Sequence, residues 1–264
     1  MNWEVYALKY ADRPGRVRTD SFIFDDNHDA PHDMDYFIWV LKSGDEVIVV
    51  DSGYDMPEAR RRERPILQKP SEVLREIGIR AEDVNTLIIT HLHYDHAGGL
   101  AQFPNATIHL QAAEMAFATG PCMCHETMRM PFSADHVCQM IHRIYSGRVA
   151  FHDGDGQIAD GVTVHCIGGH SRGLQAVRVR TASGWLCLAS DAAHYYENAF
   201  FKKPFPIVVD LEDMLTGFNR VIELASDKRL VIPGHDPLVM DIFERAGPEF
   251  AVRLDTGPIG EFPF

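Results

Sequence analysis

The sequence predicts a mixed α/β fold, and three observations carry that prediction. Runs of β-branched and aromatic residues alternate with segments whose apolar residues recur at helical spacing. The runs are short, between turn-forming residues. Clusters of histidine and aspartate stand just past the ends of several runs, where α/β sheets present their functional side chains.

Taken in order, Glu4 to Leu8, Tyr36 to Leu41 and Glu46 to Asp51 read as strands, with Ser43-Gly44-Asp45 turning the second and third into a hairpin. Residues 11–35, rich in Asp, Pro, Arg and His without periodicity, read as a long functional loop. Ser71 to Ile77 reads as a short amphipathic helix with Ser71 as N-cap and Val73, Leu74 and Ile77 on one face. Asn85 to Thr90 follows as a strand, then Ile108 to Leu110, a helix over Ala112 to Ala118, and a second helix from Ala134 to Tyr145. Between those helices, Gly120 to Phe132 concentrates methionine, cysteine and proline. Met128, Met130, Pro131 and Phe132 there either close a surface insertion or line a cleft. Strands over Gly161 to Cys166, Gln175 to Thr181 and Trp185 to Ala189, a helix over Asp210 to Ala225 and a strand over Arg229 to Ile232 complete the pattern.

A chain of 264 residues supports one large core, so a single domain over 1–264 is expected. No apolar run approaches the length of a membrane span and no charged, apolar leader opens the chain, which leads us to expect a cytoplasmic protein without a membrane partner. The net charge of −13, from 38 acidic and 25 basic residues, is the wrong sign for phosphate backbones and argues against nucleic-acid binding. Five cysteines without paired spacing indicate neither a disulfide framework nor a zinc ribbon. Most are expected to be buried small apolar side chains.

The densest signal is Thr90-His91-Leu92-His93-Tyr94-Asp95-His96-Ala97-Gly98-Gly99, directly after Leu87-Ile88-Ile89. Residues two apart in an extended stretch point the same way, so His91 and His93 can grip one metal while Asp95 and His96 face another. Gly168-Gly169-His170, Ser190-Asp191 and Pro233-Gly234-His235 each follow a strand. Imidazole and carboxylate ligands suit Zn²⁺, with Fe²⁺ or Mn²⁺ as alternatives.

This pattern of five histidines and two aspartates resembles the metallo-β-lactamase superfamily, in its dinuclear hydrolase branch, from about Tyr36 to His235. The resemblance implies an αββα sandwich of two mixed β-sheets with helices outside. It implies two Zn²⁺ per chain, one held by His91, His93 and His170, the other by Asp95, His96 and His235, with Asp191 bridging. Val49-Val50-Asp51-Ser52-Gly53 matches the family's first motif, in which the aspartate supports the metal loop and is not a ligand. Two adjacent metals lower the pKa of a shared water enough to give hydroxide at neutral pH, and one can polarise a carbonyl. Asp95 is then both ligand and proton carrier.

Asp191 stands where β-lactamases proper use a cysteine or a serine, and only 29 residues follow His235, too few for the helical domain of glyoxalase II. The chain looks most like the N-acyl-homoserine lactonases and 4-pyridoxolactonases, through Met34-Asp35-Tyr36-Phe37-Ile38-Trp39-Val40, Gly168 to Gln175 and Ser190-Asp191-Ala192. The implied reaction is the opening of a γ-lactone by metal-bound hydroxide. Where those lactonases carry a substrate-facing tyrosine, three residues after the bridging aspartate, this chain has His194, followed by Tyr195 and Tyr196. His194 or Tyr195 is therefore the expected donor to the substrate carbonyl. A fatty acyl chain would use Met128, Met130, Phe132, Phe200 and Phe201; a small aromatic lactone would use Arg172 or Lys202. A sensor that keeps its metals without turnover is the alternative from another class, and a homodimer stays open.

Overall fold

The computed structural model describes residues 1–260 and 262–264. Its first half runs β1 (Glu4–Arg13), β2 (Met34–Ser43), β3 (Glu46–Val50), α1 (Met56–Arg61), α2 (Pro70–Glu76), β4 (Thr86–Ile88), α3 (Tyr94–Ala97), β5 (Thr107–Gln111), α4 (Ala112–Ala118), α5 (Glu126–Arg129), α6 (Ala134–Tyr145) and β6 (Val149–His152). The second half runs β7 (Gly156–Ala159), β8 (Val162–Cys166), β9 (Gln175–Thr181), β10 (Gly184–Ser190), α7 (Tyr196–Phe201), α8 (Leu211–Leu224), β11 (Val231–Pro233), α9 (Leu238–Ile242), β12 (Glu244–Arg245) and β13 (Ala251–Arg253).

The strands form an eight-stranded sheet in the order β12-β13-β1-β2-β3-β4-β5-β6 and a five-stranded sheet in the order β11-β10-β9-β8-β7. Alternation along β2 shows why they stack. Phe37, Trp39 and Leu41 point into a core shared with Val162, Val164, Val177, Val179, Leu186 and Leu188 of the small sheet. Tyr36, Ile38 and Val40 point the other way, into a core with Val73, Leu74, Phe117, Val137 and Met140 of the helices. A strand buried on both faces reads as an unbroken apolar run, and that is how β2 reads. On the outer face of the small sheet, Ala176, Cys187, Ala189 and Val231 pack on Val221 and Leu224 of α8. The layers are therefore helix, sheet, sheet, helix, the αββα sandwich.

Topology brings the strand ends together. β8 and β10 are both antiparallel to β9, so they run the same way, and β11 is parallel to β10. Their C-terminal ends share one edge of the small sheet. β3, β4, β5 and β6 are mutually parallel in the large sheet.

Several elements differ from the sequence expectation. β1 continues to Arg13 and β2 begins at Met34, so the long loop shrinks to residues 14–33, pinned by a bridge between Val17 and Pro31. Ser71 is not the N-cap of α2. Lys69 is, with Pro70 in the first turn and the Glu72 carboxylate accepting the Lys69 N–H at 3.2 Å. β6, a partly exposed edge strand, and the short helices α1 and α7 have too few residues for periodicity to register. Of the cysteines only Cys187 is buried; Cys122 and Cys124 are exposed on a single 3₁₀ turn, Pro121–Cys124, and Cys138 on the outer side of α6.

Candidate metal centre

The segment after β4 leaves the sheet extended, so His91 and His93 follow one another on the same side. It then closes into the single turn α3 that carries Asp95 and His96. Tyr10 anchors that turn, its hydroxyl donating to the Asp95 carbonyl at 2.8 Å. His170 arrives after β8, Asp191 after β10 and His235 after β11. Two glycines let these segments come so close. Gly169, at φ 81°, lies where a Cβ would meet the backbone N of Met214 at 2.6 Å, and a Cβ on Gly234 would meet Asp191 Oδ1 at 2.6 Å.

Asp191 is the centre of the cluster. Its Oδ1 lies 3.2 Å from His96 Nε2 and 3.1 Å from His235 Nε2. Its Oδ2 lies 3.2 Å from His170 Nε2, 3.7 Å from His91 Nε2 and 2.9 Å from His194 Nε2. Asp95 Oδ2 stands 3.8 Å from both His96 Nε2 and His235 Nε2. Three groups that could hold a cation result, with shared members: His91, His93 and His170; Asp95, His96 and His235; and His91, His96 and Asp191. His170, Asp191 and His194 form a fourth.

The opposite edges of the imidazoles fix which nitrogen faces inward. His170 Nδ1 donates to the Ile207 carbonyl at 2.7 Å and His235 Nδ1 to the Asp35 carbonyl at 2.8 Å. A carbonyl only accepts, so both Nδ1 atoms carry the proton, and in the neutral rings Nε2 presents a lone pair to the Asp191 carboxylate. Two sets of lone pairs at hydrogen-bond distance need positive charge between them. Nε2 of His91, His96 and His170 and Oδ1 of Asp191 are buried without a hydrogen-bond partner among the described residues, which is the state of a donor set built for a metal ion.

Electrostatics point the same way. Burial, followed by repulsion from neighbouring imidazoles, lowers His91 and His93 well below the ordinary histidine pKa and keeps them neutral. Burial would also lower His96, but Asp191, Asp51 and Asp95 outweigh it and raise it well above that value. Burial opposes the Asp191 charge, yet His96, His235 and His194 hold its carboxyl well below the usual carboxylate range.

Two buried carboxylates brace the loops. Asp51 accepts Thr90 N–H at 2.7 Å, Thr90 Oγ1–H at 2.8 Å and His96 Nδ1–H at 2.7 Å, the supporting place its motif suggests. Sequence reasoning missed Glu114. Its carboxylate accepts Leu92 N–H at 2.9 Å on one loop, with Ser171 Oγ–H at 2.6 Å and Gly173 N–H at 2.8 Å on the other. The available signal was an acid on the apolar side of a helix.

Above the cluster lies a narrow cavity of about 70 Å³, lined by His93, Asp95, His170, Asp191, His194 and His235 below and by Arg13, Arg16, Tyr36, Arg64, Tyr94 and Ile207 among the residues above. His194 reaches it, stacked on Phe205 at 3.9 Å, and burial pushes its pKa down to about 3. Tyr195 does not. Its hydroxyl turns away to donate to the Asp33 carbonyl at 3.2 Å, so its expected role as substrate donor is corrected. Tyr36 and Tyr94 bring hydroxyls to the cavity instead, 3.4 Å apart.

The residues expected to hold substrate are also elsewhere. Of the segment 128–132 only Pro131 lines the cavity; Phe132 packs edge-on behind His93 at 4.7 Å, and Met130 is exposed. Phe200 packs with Phe262 and Phe264, and Phe201 is exposed. Arg172 lies 3.6 Å from Asp210, and neither it nor Lys202 lines the cavity.

Fold and donor set together define a metal-dependent hydrolase. The model of the Metallo-beta-lactamase superfamily matches residues 34–240, and the chain belongs to that superfamily. Among its relatives is an N-acyl homoserine lactonase of Bacillus thuringiensis subsp. kurstaki, 30% identical over 75% of this chain and 80% of the relative. A probable metallo-hydrolase of Mycobacterium tuberculosis is 25% identical over 79% of this chain and 76% of its own. The same fold is seen in an N-acyl homoserine lactone hydrolase solved with N-hexanoyl-L-homoserine at its catalytic metal centre, with TM-score 0.75, 21% identity and coverage of 91% and 96%. It is seen again in a dizinc quorum-quenching lactonase, with TM-score 0.68, 18% identity and coverage of 89% and 88%.

Proposed function

We propose that this chain hydrolyses a γ-lactone of the N-acyl-homoserine type at a two-metal centre. His91, His93 and His170 would hold one ion, Asp95, His96 and His235 the other, and Asp191 both. The ions are Zn²⁺ in this reading, with Fe²⁺ or Mn²⁺ as alternatives. The observation that carries it is the pair of inward-facing imidazole lone pairs, from His170 and His235, set against opposite oxygens of one buried carboxylate. A purely structural zinc would need only one closed tetrahedral set.

When bound, the metals supply a water activated at neutral pH and a polarised carbonyl. The chain's own groups do the rest. Asp95, at the rim of the cluster, takes the proton from the attacking water and returns it to the ring oxygen as the carbon–oxygen bond breaks, leaving a hydroxy acid. His194, standing where the lactonases it resembles place a tyrosine, would hold the substrate carbonyl by turning toward it the Nε2–H that otherwise meets Asp191 Oδ2 at 2.9 Å. Tyr36 and Tyr94 wall the cavity and leave little room for bulk water.

The narrowness of the cavity also favours a second reading, a small aromatic lactone without a fatty chain. A cytoplasmic location belongs to the same proposal, supported by three exposed unpaired cysteines that an oxidising compartment would challenge. A panel of lactones with and without acyl chains, followed by proton release, tests the reaction. Hydrolysis of none of them by the metal-loaded protein would refute it.

A further inference from the structure

A chain with a net charge of −13 places three arginines over its candidate metal centre. They come from separate segments: Arg13 from the end of β1, Arg16 from the loop after it, and Arg64 from the loop after α1. None is within ion-pair distance of a carboxylate among the described residues. Arg16 is the most telling. Only 7% exposed, it donates from Nη2 to the Asp20 carbonyl at 2.6 Å and to Ser21 Oγ at 3.3 Å, while its Nε is buried without a partner. Arg64 is half-buried and donates to the Tyr94 hydroxyl. Arg13 is half-buried too, and burial followed by repulsion from Arg64 and Arg16 lowers its pKa, so the three guanidinium groups feel one another.

A buried guanidinium with a free donor is costly, and arginines placed for structure alone are ordinarily saturated by carboxylates or carbonyls. Three of them converging without a counter-ion describe a receptor for an anion. The Asp20 carboxylate, which also borders the cavity, accepts the Val17 N–H at 3.1 Å. Asp95 and Asp191 face the opposite wall, where the metals would neutralise them. Planar guanidinium forks match the oxygens of a carboxylate or phosphate in paired hydrogen bonds.

We propose that the substrate is a small lactone bearing an anionic substituent, and that Arg13, Arg16 and Arg64 bind that substituent while the ring carbonyl lies over the metal-ligating side chains. This rests on the lactone reading and narrows it: the neutral fatty-acyl lactones become poor substrates. The cavity of about 70 Å³ is tight even for one ring, so it favours a single ring with a short charged arm over a fatty chain.

The test uses the metal-loaded, full-length protein and matched probes. γ-Butyrolactone-γ-carboxylate and its amide are compared in turnover. 5-Oxoproline and its amide, lactams that resist hydrolysis, are compared by calorimetry. The acid is expected to win by about 10–100-fold in kcat/KM and in Kd, the range for charge-assisted hydrogen bonds, with KM for the acid rising as salt is added. Arg13→Gln and Arg64→Gln should each collapse that preference, chiefly through KM; they replace the more buried Arg16, whose loss can impair folding. Equal binding of acid and amide by calorimetry, or a preference that survives both substitutions, overturns the proposal. If no lactone is turned over but 5-oxoproline still binds through these arginines, the lactone reading fails and the anion site stands. If lactones are opened and acid and amide bind alike, the lactone reading stands and the anion site fails.

Discussion

The floor and the roof of the cavity are built on opposite principles. The floor consists of strand-end residues whose outer edges are tied to buried partners, as His96 is to Asp51 and His235 to the Asp35 carbonyl. Four of its inward-facing atoms, Nε2 of His91, His96 and His170 and Oδ1 of Asp191, are left without hydrogen bonds among the described residues. The roof is drawn from scattered segments: Arg13 and Tyr36 from β1 and β2, Tyr94 from α3 beside the candidate ligands, Arg16 and Arg64 from loops, and Ile207, held at φ 64° where its carbonyl accepts from His170. In the proposed reading the floor fixes the chemistry and this roof fixes what is admitted. The difference teaches that reaction and substrate are recorded in different parts of this sequence.

Substitutions in the floor should therefore strike turnover hardest. Asp95→Asn keeps an oxygen in place but cannot carry a proton, and turnover should fall about 10²–10⁴-fold with metal content kept. Steady-state rates alongside metal analysis decide it; an unchanged rate removes Asp95 from the proton path.

Glu114→Ala tests whether the floor is one unit. It leaves the Leu92 and Gly173 N–H groups and the Ser171 hydroxyl without their acceptor, at about 1–3 kcal/mol for each donor that water cannot reach. Urea denaturation should show a loss of roughly 2–5 kcal/mol, together with weaker metal retention. A variant as stable as the wild type would separate the two loops.

His194 stands between floor and roof, touching Asp191 below and facing the cavity above. His194→Phe should lose about 10–10³-fold in kcat/KM, and His194→Tyr should recover part of it. An unaffected Phe variant would move the carbonyl donor to Tyr36 or Tyr94 in the roof.

The smallest effect concerns pH. Burial lowers His32, in the roof loop, and His109, in β5 of the large sheet, each to about 4. Both stay neutral in the fold and take up protons on unfolding, so the stability they contribute is present above about 6.5 and is lost as pH falls from there toward 4. In the metal-free protein the denaturation midpoint should fall across that window, with up to about two of the protons taken up on unfolding coming from this pair and others from the buried, neutral His91, His93 and His194. His109→Gln should reduce that uptake; an unchanged slope would assign the titration elsewhere.

This division sets how much was legible. The convergence of the candidate ligands was readable because seven residues follow strand ends, and strand ends are visible as the close of apolar runs such as Leu87 to Ile89 and Leu186 to Ala189. The double alternation of β2 was visible as an unbroken run, though not the sheet on each side of it. The roof was not readable. Arg13, Arg16 and Arg64 are scattered among surface-like residues, and only tertiary folding brings them together. Tyr195 misled for the same reason: its place in the sequence suits a substrate donor, but Asp33 draws its hydroxyl away. Glu114 hid because a single acid in a helix carries no pattern of its own.

Metal content of the purified protein tests the floor most directly. Protein prepared without chelator and supplied with zinc should bind two equivalents per chain. His170→Ala should keep about one, and Asp191→Ala should loosen both. A wild-type protein that holds no more than one tightly bound metal, or an Asp191→Ala variant that retains two, would contradict a shared carboxylate at the centre of the site.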